Sequence, residues 1–158
     1  AGDYEMMAIR LCWRSQIAEE EADSAKVRRL AEPLVRIAGG TSLQEPGYWP
    51  WPDLLRNALV LDGQVHAVGA FLQPHEPRAR ARGHRSAQAR LGYARGRLHG
   101  ALGDIHAARH SFEASLELLN GLPLRYDIAR DNFAFGQTLR RAGKRRQADE
   151  VISTAREI

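Results

Sequence analysis

Three glycines at equal spacing constrain this chain more than any other feature. Gly63, Gly103 and Gly143 stand 40 residues apart, and a fixed period of that size marks stacked supersecondary units. The surrounding positions repeat too. Five residues on stand Val68, Ala108 and Ala148, and nine on stand Leu72, Phe112 and Ile152. Four residues before stand Leu59, His99 and Leu139. The last two units share Gly96, Gly103, Ala108 and Phe112, then Gly136, Gly143, Ala148 and Ile152, at one set of offsets. With a shift of 41, Ala22 takes the place of Gly63 and Val27 that of Val68, so the N-terminal segment is a degenerate first unit.

The glycine at each 40-residue mark predicts a helix end, where φ > 0 is wanted and no Cβ clashes. The earlier glycine and the alanine predict a close crossing of two helices. The larger apolar residue four places after the alanine shares its helix face and fills the space beside it. Each unit is then an antiparallel helix pair, and pairs stack. Apolar residues recur at helical spacing as Ala87, Leu91, Ala94, Leu98 and Leu102, and as Ile105, Ala108, Phe112, Leu116 and Leu119. The series Ile128, Phe135, Leu139 and Ala142 and the series Ala148, Val151, Ile152 and Ala155 continue the pattern. No stretch alternates with a period of two, so no sheet is expected.

The predicted fold is all-α, a tetratricopeptide-like right-handed superhelix of about four antiparallel hairpins forming one domain over 1–158. The repeats span about 4–38, 52–82, 85–120 and 125–158, and eight helices are expected at about 4–20, 23–38, 52–62, 64–82, 85–102, 104–120, 125–142 and 144–157. Pro33 and Pro74 fall near the middle of two of them and predict a kink or break. Gly39 to Pro52, with its glycines and prolines, is a loop, and Gly121-Leu122-Pro123 is a shorter break.

Composition narrows the function. A chain of 158 residues that is 44% hydrophobic and 27% charged reads as an ordinary soluble domain. At this length folding removes roughly 68–70% of the unfolded surface from water. No run of about 18 apolar residues offers a transmembrane helix, and no basic start followed by an apolar stretch offers a secretory signal. The single Cys12 forms no internal disulfide and alone holds no zinc, which suits a reducing cytoplasm. The chain starts at Ala1 and ends on Ile158 inside an apolar pattern, as a fragment of a longer protein would.

Charge is uneven. Residues 1–76 carry 7 basic and 11 acidic groups (−4), and residues 77–158 carry 16 and 8 (+8). From Pro77 to Gly103 there are seven Arg and no acid. Such a stretch can bind nucleic acid, form a solvated helix face or dock on an acidic neighbour. The cluster Arg140, Arg141, Lys144, Arg145 and Arg146 straddles a helix end and a turn. Cations suit a helix C-terminus but not the start of the next helix, so either an acidic partner or a solvated turn is expected there.

Catalytic motifs are missing: G-x-S-x-G, G-x-G-x-x-G, H-E-x-x-H and the P-loop pattern do not occur. His75-Glu76 is followed by Pro77, which argues against the helix that a zinc-binding His pair needs. His106 and His110 share a helix face, with His99 nearby, yet only Glu113 could add to them, and partial core filling is the plainer role for His99. No catalytic residue, cofactor or metal site is therefore assigned. Tyr48, Trp49 and Trp51 form either an aromatic ligand patch or a cap on the second hairpin.

A binding groove is the remaining candidate. First helices of stacked hairpins would carry Asp53 and Asn57, then Arg90, Tyr93 and Arg97, then Arg130, Phe133 and Gln137 along one face. Two stacked arginines beside two stacked aromatics suit an anionic or aromatic ligand or an acidic peptide. The alternative is a solvated face with Phe133 buried.

The 40-residue unit resembles the tetratricopeptide repeat. The stretch Ala94–Glu157 is also similar to the helical-repeat region of large ATP-dependent LuxR-type (MalT-like) bacterial transcription regulators. The features that carry this are Gly103-Asp104, the connector Glu117–Leu124, Tyr126 with Ala129-Arg130, Gly136–Ala148 and the Pro52-Asp53-Leu54-Leu55 start. The resemblance covers roughly residues 50–158. It implies a regulatory and signal-sensing module whose partners are the other domains of the parent regulator, with a small-molecule inducer or regulatory protein bound in the groove. DNA contact would run through a domain outside this stretch. No membrane partner is implied, and an exposed last hairpin offers a surface for a homodimer. The rivals are a standalone protein-protein interaction adaptor and a nucleic-acid-binding solenoid using the basic stretch.

Overall fold

A computed structural model describes residues 2–37, 51–61, 63–72 and 75–158 of the chain. Among the described residues there are nine α-helices and no strand: α1 (Gly2–Glu20), α2 (Ser24–Ile37), α3 (Trp51–Leu61), α4 (Val65–Leu72), α5 (His75–Ala81), α6 (Arg85–Leu102), α7 (Ile105–Leu119), α8 (Arg125–Arg141) and α9 (Arg145–Glu157). No helix among them is long and apolar enough to cross a membrane. The chain divides into two compact units, Ala1–Arg78 and Ala79–Ile158.

The glycine frame is realised in the backbone. Gly63, Gly103 and Gly143 have φ of +71°, +81° and +75°. At Gly103 the amide bonds back to Gly100 O and the next amide, of Asp104, to His99 O, which closes the end of α6. Asp104 then caps α7 by accepting from Ala107 N at 3.0 Å. Ala22, the residue substituted for glycine in the first unit, holds φ +57°, a conformation that strains any residue with a Cβ. Asp23 follows it and accepts from Lys26 N at 2.8 Å.

In the first unit, α1 turns back onto α2 around Ala18, Val27 and Leu30, with Leu11 against them. Cys12 is buried and forms no disulfide. In the second unit, α6 and α7 form one hairpin and α8 and α9 another. A Cβ on Gly96 would come within 2.7 Å of the Phe112 ring, and one on Gly136 would run into Ile152. The two crossings expected from sequence are thus backbone approaches that admit no side chain. Phe112 sits at the centre of the unit, edge-on to Tyr93 at 6.2 Å and stacked on Phe135 at 5.3 Å. Leu139, Ala134 and Ala148 complete this core.

Four expectations need correction. Pro33 does not break its helix, since α2 runs unbroken from Ser24 to Ile37. Proline removes one backbone bond there, and Ala31 and Leu34, both fully buried, hold the last turn in place. Of the helix expected over 64–82, the described residues form α4 and α5; residues 73–74, with the break expected at Pro74, lie outside the described ones. His75-Glu76-Pro77 opens α5 rather than preventing a helix, because a first turn leaves its amides unbonded and tolerates proline. Leu102, assigned to an apolar stripe, is exposed at the end of α6. The loop expected over Gly39–Pro52 ends sooner, because Trp51 and Pro52 open α3; residues 39–50, with Tyr48 and Trp49, lie outside the described ones, as does the side chain of Trp51.

Candidate functional site

The second unit concentrates its polar groups on three helices. Gly100 approaches Thr138 so closely that a Cβ would lie 2.7 Å from Thr138 Cγ2. Together with Tyr93 beneath Arg130 and Arg90 beside Asp127, this sets α8 parallel to α6 with an offset close to one repeat. α7 lies antiparallel to both, with Ser115 opposite Asp131 and Phe112 opposite Phe135.

Two acids that the sequence reading did not single out organise the cluster. Asp127 and Asp131 are buried, Asp131 completely. Arg130 Nη2 lies 3.1 Å from Asp127 Oδ1 and 3.2 Å from Asp131 Oδ1, and Arg90 Nε lies 3.5 Å from Asp127 Oδ1. The Arg130 guanidinium also covers the Tyr93 ring at 4.3 Å from its centroid. Arg97 flanks the same ring at 5.8 Å and donates to Tyr93 Oη at 3.4 Å. Ser115 Oγ stands 2.6 Å from Ala89 O and 2.5 Å from Asp131 Oδ2.

The electrostatics follow from burial. Desolvation disfavours the Asp131 carboxylate and outweighs Arg130 and the hydrogen bonds from Ser115 and Arg130, pushing its pKa up to about 6. Burial pulls Arg130 down, but the neighbouring Asp131, Tyr93 and Asp127 and the hydrogen bond to Asp131 more than offset it, so it sits above the ordinary arginine value. Arg130 is therefore always cationic, and its charge is already matched inside the protein.

Of the groove residues, the structure brings Arg90, Tyr93, Arg97 and Arg130 together, but as a packed network rather than an open wall. Tyr93 is 5% exposed and belongs to the core. Phe133 and Gln137 lie exposed on α8, so the alternative of a buried Phe133 fails. Phe133 is 49% and Tyr126 76% exposed, each about one turn from Arg130, on either side of it along α8. Asn57 belongs to the first unit, where its Nδ2 donates to Glu19 Oε1 at 2.9 Å. The side chain of Asp53 lies outside the described residues.

The repeat held the missing signal. Asp127 and Asp131 fall 40 residues after Ala87 and Leu91, which the apolar pattern had already placed inside. An acid in a core register beside arginine announces a buried ion pair. In the basic cluster, Arg140 meets Asp149 at 2.5 Å and Arg146 approaches Glu150 at 3.9 Å, all at the surface, so part of that charge is balanced within its own hairpin. His106 and His110 are exposed and His99 half-buried. Among the described residues no group of three or more His, Cys, Asp or Glu is placed to hold a metal ion. Compared with protein-family models, curated proteins and solved structures, the chain has no match.

Proposed function

We propose that this chain is a regulatory, non-enzymatic helical-repeat module that binds a signal ligand or a partner protein, and that its hairpins form a tetratricopeptide-like superhelix. The observation that supports the reading is the parallel packing of α8 on α6, with Arg130 over Tyr93 and Arg90 beside Asp127, which leaves Tyr126, Phe133 and Gln137 exposed on the open side of α8. The likeness of Ala94–Glu157 to MalT-like LuxR-type regulators supports a cytoplasmic sensor arm that controls adjoining NTPase and DNA-binding domains. Binding would shift the packing of the repeats by the difference in affinity between two arrangements, and by no more than that.

The contact surface in this reading is the open side of α8, with Tyr126, Phe133 and Gln137, edged by Arg97. The inner arginines serve as structure. Thermal unfolding of the chain, titrated with anionic metabolites and with an Asp/Glu-rich peptide, tests it. Saturable stabilisation is expected, and it should disappear in Phe133→Ala with Gln137→Ala while helix content stays unchanged. A response that survives this double substitution would remove the α8 face from the proposal, and no response to either class of probe would overturn the sensor reading.

A further inference from the structure

Ser115 poses a problem of proton counting. Its hydroxyl has one hydrogen and two lone pairs. Its oxygen lies 2.6 Å from Ala89 O, which can only accept, and 2.5 Å from Asp131 Oδ2, which when ionised can only accept. Both separations are those of strong O–H···O bonds. One hydrogen cannot lie on both lines. With an ionised Asp131, one of the two contacts would set lone pairs against each other at a distance where they repel.

A proton on Asp131 Oδ2 resolves this. The acid donates to Ser115 Oγ, and the Ser115 hydroxyl donates to Ala89 O. Asp131 Oδ1 stays free to accept from Arg130 Nη2 at 3.2 Å. Every hydrogen then has one acceptor, and the chain ties α8 to α7 and α7 to α6. We infer that Asp131 is a proton-binding site inside the second unit, and that its proton decides whether the Ser115 hydroxyl donates to Ala89 O of α6 or to the Asp131 carboxylate of α8.

The surroundings define both states. On α8, Arg130 and Asp127 face Asp131. α6 contributes Arg90 beside Asp127, with Tyr93 and Arg97 on the far side of Arg130. α7 contributes the neutral Ser115, and its nearest acids in sequence, Glu113 and Glu117, are exposed. When the proton leaves, the Ser115 hydroxyl turns to the carboxylate, and the Ala89 carbonyl loses its tie to α7. The two carboxylates then share Arg130 Nη2, with Arg90 beside Asp127. Burial of the acid, with its pKa pushed up to about 6, agrees with the proton count.

The sign of the pH dependence is fixed. The folded protein holds the proton above the pH at which an unfolded Asp, with a pKa of about 4, loses it. Stability therefore falls as pH rises from about 4 through about 6 and is level above that. The test is carboxyl-detected carbon NMR of the full chain from pH 3.5 to 8, with Asp131 assigned through its own side-chain correlations. An Asp131 midpoint near 6 is expected. Urea unfolding over the same range supplies the second arm. Asp131→Asn places an amide donor where the acid carried its hydrogen, so it should keep the Ser115 bond and lose the decline in stability between pH 4 and 6. An Asp131 carboxyl that titrates near 4, or an Asp131→Asn protein with an unchanged pH slope, would overturn the inference. The NMR arm decides the matter even if the variant folds poorly.

Discussion

The α6–α7 and α8–α9 hairpins share one 40-residue frame, and they differ in what that frame buries. In α6 the two core registers hold Ala87 and Leu91. In α8 the same registers hold Asp127 and Asp131. The aromatic register differs in the opposite sense. Tyr93 on α6 is buried because Arg130 of the next hairpin lies over it, whereas Phe133, its counterpart on α8, is half exposed. A repeat therefore fixes the position of a side chain and leaves its environment to whatever stacks beside it. Apolar residues fill the α6 registers at little risk. The acids in α8 are tolerable only because Arg130, Arg90 and Ser115 converge on them.

The aromatic pair gives the largest contrast. Tyr93→Ala removes a ring from the Phe112 and Arg130 contacts and should destabilise the protein by about 3–5 kcal/mol. Phe133→Ala should change stability by no more than about 0.5 kcal/mol. Denaturant unfolding of both variants measures the gap, and equal losses would mean that Phe133 is covered in solution.

The acid registers come next. Asp131→Leu copies the residue that α6 uses, but it leaves the buried Arg130 with Asp127 as its remaining carboxylate and the Ser115 hydroxyl without its acid partner, and should cost about 3 kcal/mol. Adding Arg130→Met should restore most of that loss, because an apolar pair matches the α6 pattern. If the double variant is no better than the single one, Arg130 matters chiefly as the lid on Tyr93 and not as the partner of Asp131.

The smallest effects lie at the helix ends, where the first unit departs from the later ones. Ala22→Gly relieves a left-handed alanine and should stabilise by about 1 kcal/mol, and Gly103→Ala should destabilise by a similar amount. Shifts in unfolding midpoint of opposite sign would confirm that Ala22 fills a glycine position under strain. Shifts of the same sign would remove Ala22 from the glycine frame.

Helix ends and crossings were legible because the demands behind them are local. A left-handed residue after a helix wants glycine wherever it occurs. A crossing at contact distance wants glycine opposite Phe112 or Ile152. Pro33 shows where local reasoning stops. It sits inside α2, which continues through it to Ile37. The buried Ala31 and Leu34 hold that turn, which the proline itself does not encode.

The candidate site divides along the same line. Sequence alone aligned Arg90, Tyr93 and Arg97 with Arg130, Phe133 and Gln137, since a 40-residue period fixes which side chains share a register. It also contained Asp127 and Asp131 in core registers, although polarity disguised them as surface residues. Only the tertiary structure decided that the arginines turn inward to these acids, that Arg130 covers Tyr93, and that Ser115 joins three helices through one hydroxyl. The period of a helix is a property of its own backbone. The charge state and exposure of a side chain depend on the helices packed around it, here α6, α7 and α8.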